Sequence, residues 1–396
     1  MRKKIVSILA VLSLLIIFGG TKFLRIASGT GERNIYKRYF ESHPELSILS
    51  QKSKELPFRV GVVGIHESVA ESYGLETFGG RSPLFNKYFH EYFTQVVLPQ
   101  LQTSKKHEKF ANYWYQLHLN TGPPFHPEHK FNQIPNAKDW NLDLLHVANV
   151  KYLISGRSIV GMDKHASSVT IDAGEWYGNN LPVGRILWER VDRLISFFKI
   201  MREGPIGRRR EPLRLYIYEL KNSFPRAYLT PNITLFSSED EVFSAVKKAT
   251  LKDFKRNAFL TRSSIEGSQA SPAQKKDFDE NKNQVRILSY ESDKIILQAN
   301  IDSASLLVVT NNFDPNWKVT VDGKEKKILR TNYVFQGVSL PKEGKYQVEL
   351  SYSNPAVIYT YLLVLCGVLL IFLGVYHSPD IKTIRQTELS SSNKRV

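Results

Sequence analysis

The chain has 396 residues, 42% hydrophobic and 12% aromatic, which leaves room for two or three domains with real cores. Its single cysteine, Cys366, excludes an intramolecular disulfide and fits a bacterial envelope better than a eukaryotic secreted domain. The net charge of +16 is spread along the chain without zinc-finger or RNP-like spacing, which argues against nucleic acid and for anionic membrane lipid or an envelope polyanion.

Residues 5–24 form an apolar run behind Arg2, Lys3 and Lys4. The outline is also that of a signal peptide, but the small-x-small cleavage pattern is poor, so an uncleaved transmembrane anchor is expected. Residues 25–57 read as a polar stalk, helical over 33–55. Residues 58–262 read as a mixed α/β domain. Within it, 58–65 (FRVGVVGI) is a short β-rich run and 74–82 (GLETFGGRS) a turn-rich loop. Phe85, Tyr88, Phe89, Tyr92, Phe93, Val96 and Val97 recur at helical spacing over 84–101. A helix over 141–149 leads into a strand at 150–155. A strand near 168–171, an amphipathic helix over 185–202 and a strand at 213–219 follow. Ser238-Glu239-Asp240-Glu241 is a capping-box signature opening a helix with Val242, Phe243 and Val246.

Residues 263–283 are polar and poor in large apolar side chains, the pattern of a linker. About seven strand-like runs follow between 285 and 352, which predicts a β-sandwich over 284–354. Within it Asp322-Gly323 is a two-residue hairpin turn, since a type I′ turn needs positive φ. Residues 356–376 are uncharged and long enough to span a membrane, with Tyr359, Tyr361 and Tyr376 near the ends. The tail 377–396 carries Lys382, Arg385, Lys394 and Arg395 and is expected in the cytoplasm, together with the N-terminus. The predicted fold is therefore an α+β extracytoplasmic region with a C-terminal β-sandwich, flanked by two transmembrane helices in a bacterial cytoplasmic membrane.

Chemistry-bearing motifs are sparse. Transfer of a sugar from a lipid phosphate needs a carboxylate base or a metal near the headgroup. Glu32, Glu41, Glu343 and Glu349 flank the two apolar runs but make no paired motif. His126-Pro127-Glu128-His129 brings possible metal ligands together, yet no third ligand is assignable, so no metal is expected. The glycines of GVVG and Gly79-Gly80 lack the Lys and Ser/Thr of a phosphate loop, and no nucleophile elbow occurs, so no cofactor is expected and catalytic residues stay unassigned. Ligand-binding candidates are Glu76 and Arg81 in the glycine-rich loop, Arg208, Arg209 and Arg210 as a phosphate-pairing cluster, and Trp317 as a stacking surface. Each also has a plain structural reading, as a turn, a solvated loop or a core side chain.

Four segments together resemble the extracytoplasmic C-terminal region of bacterial YfhO-type membrane proteins. They are Asn312-Phe313-Asp314-Pro315-Asn316-Trp317 with Val321-Asp322-Gly323-Lys324, the strand at 332–341 (NYVFQGVSLP), Asn149-Val150-Lys151-Tyr152-Leu153-Ile154, and Ser223-Phe224-Pro225-Arg226-Ala227-Tyr228. Residues 74–88 resemble a further loop of the family. The resemblance implies kinship with multi-span glycosyltransferases that use polyprenyl-phosphate sugars. This chain shows one apolar run where the family carries a large bundle, so the resemblance implies location and fold without carrying the activity over. The expectation is a membrane-anchored module without independent catalysis, accessory to envelope glycan or glycopolymer modification. Its expected partners are membrane lipid, a multi-span glycosyltransferase and an anionic glycan. The alternatives are part of a split glycosyltransferase, or a structural envelope protein without ligand.

Overall fold

A computed structural model describes residues 43–81, 85–102, 116–119, 135–169, 215–268, 278–279 and 281–376. The first apolar run, the loop with His126 and His129, the helix expected over 185–202, the Arg208–Arg210 cluster and the C-terminal tail lie outside the described residues.

Helix α1 (Pro44–Glu55) starts at a proline, whose missing N–H costs nothing in a first turn. It does not stand free as a stalk, because Leu46 and Leu49 are buried. They pack against a five-stranded sheet of order β2-β1-β5-β7-β6, built from β1 (Arg59–Val63), β2 (Glu76–Thr77), β5 (Val150–Ser155), β6 (Ala166–Val169) and β7 (Tyr216–Leu220). β1 runs parallel to β2 and β5, while β7 is antiparallel to β5 and β6. Both faces of this sheet are covered, which is why β1 reads as an unbroken apolar run rather than an alternation. Val60 and Val62 face α1, whereas Val63 joins a larger core on the other side. Gly61 shares that other side, where a Cβ would meet Leu153 at 2.5 Å and Leu119 at 2.7 Å.

The larger core is supplied by helices α2 (Lys87–Val96) and α3 (Leu142–Val147). The aromatic spacing seen in the sequence places Phe89, Tyr92, Phe93 and Val96 on the buried face of α2. Asn141 caps α3 by accepting from Leu144 N, and Asn149 turns the chain into β5 with φ 62°. The loop at 74–82 contains β2 and a second short strand, β3 (Gly80–Arg81), paired with β4 (Gln116–Leu117).

β8 (Ala227–Thr230) leaves the first sheet and pairs antiparallel with β13 (Ser305–Asn312). β9 (Asn232–Phe236) and β10 (Asn257–Thr261) form a parallel pair, joined through α4 (Glu239–Lys248) and α5 (Leu251–Arg256). Ser238 caps α4 by accepting from Glu241 N at 3.2 Å, as its sequence predicts.

From residue 284 to 352 the chain makes eight strands, one more than the seven runs read from sequence. They are β11 (Gln284–Tyr290), β12 (Lys294–Ile301), β13, β14 (Trp317–Val321), β15 (Lys324–Lys326), β16 (Leu329–Thr331), β17 (Phe335–Leu340) and β18 (Gly344–Tyr352). They form two antiparallel sheets, ordered β11-β12-β18-β14-β15 and β16-β17-β13-β8. Ile295, Leu297, Val319, Val348 and Leu350 of the first sheet share one core with Leu307, Val309, Val338 and Leu340 of the second. The alternate residues of β13, Leu306 and Val308, point the other way into the core of α2 and α3. The four-stranded sheet is thus covered on both faces, and its outer side is continuous with the N-terminal region.

Asp322 (φ 50°) and Gly323 (φ 74°) turn β14 into β15, as the dipeptide predicts. After β18, α6 (Pro355–Tyr376) runs for 22 residues, or about 33 Å, without Asp, Glu, Lys or Arg. Its apolar side chains are exposed, Leu363 at 73% and Phe372 at 68%. Counted over the described residues alone, no helix is long and apolar enough to cross a membrane. The α6 backbone is helical over all 22 residues.

Candidate functional site

The parallel register of β1 and β2 sets Arg59 beside Glu76. Arg59 Nε donates to Glu76 Oε1 at 2.7 Å, and Arg59 Nη1 donates to the carbonyls of Thr310 (2.7 Å) and Ala148 (3.2 Å). Arg226, fully buried just before β8, donates through Nη2 to Glu76 Oε2. The Tyr290 hydroxyl donates to the same oxygen at 3.0 Å, with Asn311 Oδ1 3.2 Å away. Together Glu76 and Arg59 tie the first sheet to β11, β13 and the entry to β8. The remaining Arg226 nitrogens, Nε and Nη1, meet no acceptor, and the guanidinium carbon lies 5.2 Å from the Tyr290 ring centre.

Burial alone would raise the Glu76 pKa, but the adjacent Arg226 and Arg59 outweigh it and hold the carboxyl down at about 2. Burial pushes the Arg226 pKa down, opposed by Glu76. Burial also pushes Tyr290 up to about 12, so it stays a neutral donor. Glu76 keeps 39% of its side-chain surface open to a cleft, so solvent screens part of this cluster. A carboxylate with three donors and so low a pKa is a poor proton acceptor at neutral pH. Its chemistry here is structural and electrostatic.

The cleft has a volume of about 330 Å³. One wall comes from Glu76, Thr77 and Gly79, a second from Phe85, Asn86 and Phe89 at the start of α2, and a third from Asn312, Phe313 and Asp314 at the end of β13. Asn86 holds two walls together. Its Oδ1 caps α2 by accepting from Tyr88 N at 2.9 Å, and its Nδ2 donates to the Phe313 carbonyl at 3.3 Å. Phe313 N donates to Val334 O at 2.7 Å, and the Arg330 guanidinium lies 5.6 Å from the Phe313 ring centre. The Asn312 carbonyl accepts from Gln336 Nε2 at 3.1 Å, but Asn312 Oδ1 is buried and has no donor. Asp314 Oδ1 accepts from Asn316 N at 2.8 Å, which rounds off the turn. The Asn316 carbonyl then accepts from Ser353 N at 3.1 Å, two residues before α6.

Of the sequence candidates, Glu76 lines the cleft. Arg81 sits in β3. Trp317 is half-buried against the two-sheet core, its ring 5.4 Å from that of Tyr352 and outside the cleft. Sequence reasoning missed Arg59, Arg226, Tyr290, Asn312, Phe313 and Asp314 as site residues. The available signal was a charge inside an apolar strand: Arg59 in FRVGVVGI and Arg226 in SFPRAYLT. Such residues are buried only when paired. Among the described residues, no group of three or more His, Cys, Asp or Glu could hold a metal ion.

The architecture is that of an α+β assembly whose two parts are pinned by a buried charge cluster beside a cleft, with an exposed apolar helix at its C-terminal end. Residues 248–364 match the family described as Bacterial membrane protein YfhO, and this stretch is a YfhO-type bacterial membrane-protein region. No curated protein and no solved structure matches the chain.

Proposed function

We propose that the protein is a membrane-anchored extracytoplasmic module, accessory to the modification of an envelope glycan or glycopolymer. In this reading α6 crosses the bilayer, residues 5–24 make a second span, and the two β-sheets form a sandwich held at the outer membrane surface. The carrying observation is the cleft, built jointly by the N-terminal region and the YfhO-type turn at 312–314 and connected through Asn316 to the start of α6. A cleft of apolar rings with a few fixed polar groups is the usual form of a small-ligand site. The module holds a glycan there while a multi-span glycosyltransferase supplies the chemistry. The low pKa and saturated oxygens of Glu76 favour binding over catalysis at this site.

The test is co-purification of the full chain from membranes in mild detergent, followed by identification of bound protein and polymer. A many-span glycosyltransferase together with an envelope glycan is the expected result. Sugar transfer from a polyprenyl-phosphate donor by the purified chain alone would overturn it.

A further inference from the structure

Helix α6 does not hang from the two-sheet unit on a tether. Only Ser353 and Asn354 separate it from β18, so Pro355 lies within about 10 Å of Tyr352 even if the link is fully extended. The link is also fixed. Tyr352 N donates to Asp293 O at 2.7 Å and Ser353 N to Asn316 O at 3.1 Å, which ties two neighbouring turns to it. Asn354 then caps the helix, its Oδ1 accepting from Ala356 N at 2.9 Å. The turns at 291–293 and 313–316 therefore stand at whatever boundary α6 crosses.

The side chains on this rim suit such a boundary. Trp317 pairs with Tyr352 in the β14–β18 register, their rings lie 5.4 Å apart, and each keeps part of its surface open. Tyr359 and Tyr361, 66% and 71% exposed, follow in the first two turns of α6. Indole and phenol rings, apolar in body and polar at the tip, concentrate where hydrocarbon meets water. Charge does not supply the attraction. At these strand ends and turns Lys294 and Lys318 stand against Glu291, Asp293, Asp314 and Glu349, and Lys294 is already engaged by Glu349 at 2.8 Å. The broad outer face of the same sheet is a poorer docking surface, since it exposes Arg286, Gln298, Lys345 and Gln347. Resting on the reading in which α6 crosses the bilayer, we infer that the two-sheet unit stands end-on in the headgroup zone, held there by the Trp317–Tyr352 pair, and that this rim takes a phospholipid interface whatever its headgroup charge. The net charge of +16, which pointed to anionic lipid, is carried elsewhere on the chain.

The single cysteine makes the test direct. The full chain in nanodiscs is spin-labelled at Cys366, within α6, and label depth is read from collisions with oxygen against a nickel chelate. Two further chains combine Cys366→Ser with Lys318→Cys or Lys345→Cys, which lie about 20 Å apart along the direction of β18. The discs hold phosphatidylcholine alone or with added phosphatidylglycerol. The Cys366 label is expected in hydrocarbon, the Lys318→Cys label in the headgroup zone at equal depth in both lipids and in high salt, and the Lys345→Cys label in water. Adding Trp317→Gln and Tyr352→Thr should shift the Lys318→Cys label out into water, with thermal melting reporting that the sheets stay folded. A Lys318→Cys label in water beside a Cys366 label in hydrocarbon would overturn the inference and leave the reading of α6 standing. So would a Lys318→Cys label that reaches the headgroups only with phosphatidylglycerol, a Lys345→Cys label equally deep, as in a sheet lying flat, or a folded double variant with unchanged depth. A Cys366 label in water would overturn both.

Discussion

Glu76 accepts from Arg59, Arg226 and Tyr290, three side chains on separate segments of the chain. Replacing it with Gln leaves Arg59 and Arg226 facing each other in a largely dry setting. Breaking a fully buried pair costs about 3–5 kcal/mol, and partial exposure lowers the expected cost here to about 2 kcal/mol. A denaturant midpoint series on Glu76→Gln checks this. The folded pKa of about 2 lies below the ordinary 4.5, so the contribution is fully present above pH 4.5 and is lost as pH falls toward 2. His146 acts over an earlier window. Burial, assisted by His165, lowers its pKa from 6.5 to about 4. The unfolded chain therefore binds the proton first, and stability declines as pH falls from 6.5 to 4. Melting temperature against pH should show both limbs. Glu76→Gln should flatten the lower limb and His146→Leu the upper one. An unchanged profile in either variant would refute that assignment.

Among elements, local signals written within a few residues were legible. The alternation and turn chemistry of β14 and β15, the cap at Ser238 and the aromatic face of α2 all stand where their sequences put them. Their causes are short-range: positive φ at Asp322-Gly323, one hydroxyl accepting from one N–H, and a period of 3.6. Ser238→Ala should cost about 1 kcal/mol by loss of the cap. Gly323→Ala should cost about 1–2 kcal/mol with no steric clash, because only its left-handed backbone is strained. Urea unfolding measures both. The cleft was much less legible. Its walls come from residues 76–79, 85–89 and 312–314, and nothing local to Asn312 announces that Glu76 lies across from it. Arg226 is the instructive case: its segment was quoted for a family resemblance, whereas its role depends on Glu76, 150 residues away in sequence. The α1 segment was read as polar because its apolar residues are few, yet burial of Leu46 and Leu49 is enough to dock it.

For the whole molecule, the decisive fact is that the two-sheet core is not closed by the residues after the polar segment. β8 supplies Ala227 and Leu229 to it from before the expected linker. The family match at 248–364 also begins after β8, so the matched stretch and the folding unit differ. A chain starting at residue 284 should expose the β13 edge and the contacts of Leu307 and Val309, and should aggregate or bind hydrophobic dye. A chain starting at residue 215 restores β8 and should be better protected in hydrogen exchange at β13. Equal protection in the two would show that β8 is dispensable. Within the complete chain, Leu307→Ala should cost about 2–5 kcal/mol, since its side chain is wholly buried in the shared core.

The hydrogen bond from Ser353 to Asn316 has a mechanical consequence. The turn that forms one wall of the cleft is clamped to the last residues before α6. Tilting that helix against the sheets pulls on the same short loop that positions Phe313 and Asp314. In the proposed reading, in which α6 crosses the bilayer, a change of hydrophobic thickness that alters the tilt of that helix would also alter the width of the cleft. Ligand affinity in thin and thick nanodiscs would read that gearing directly, with Ser353→Pro, which removes the N–H, as the uncoupled control.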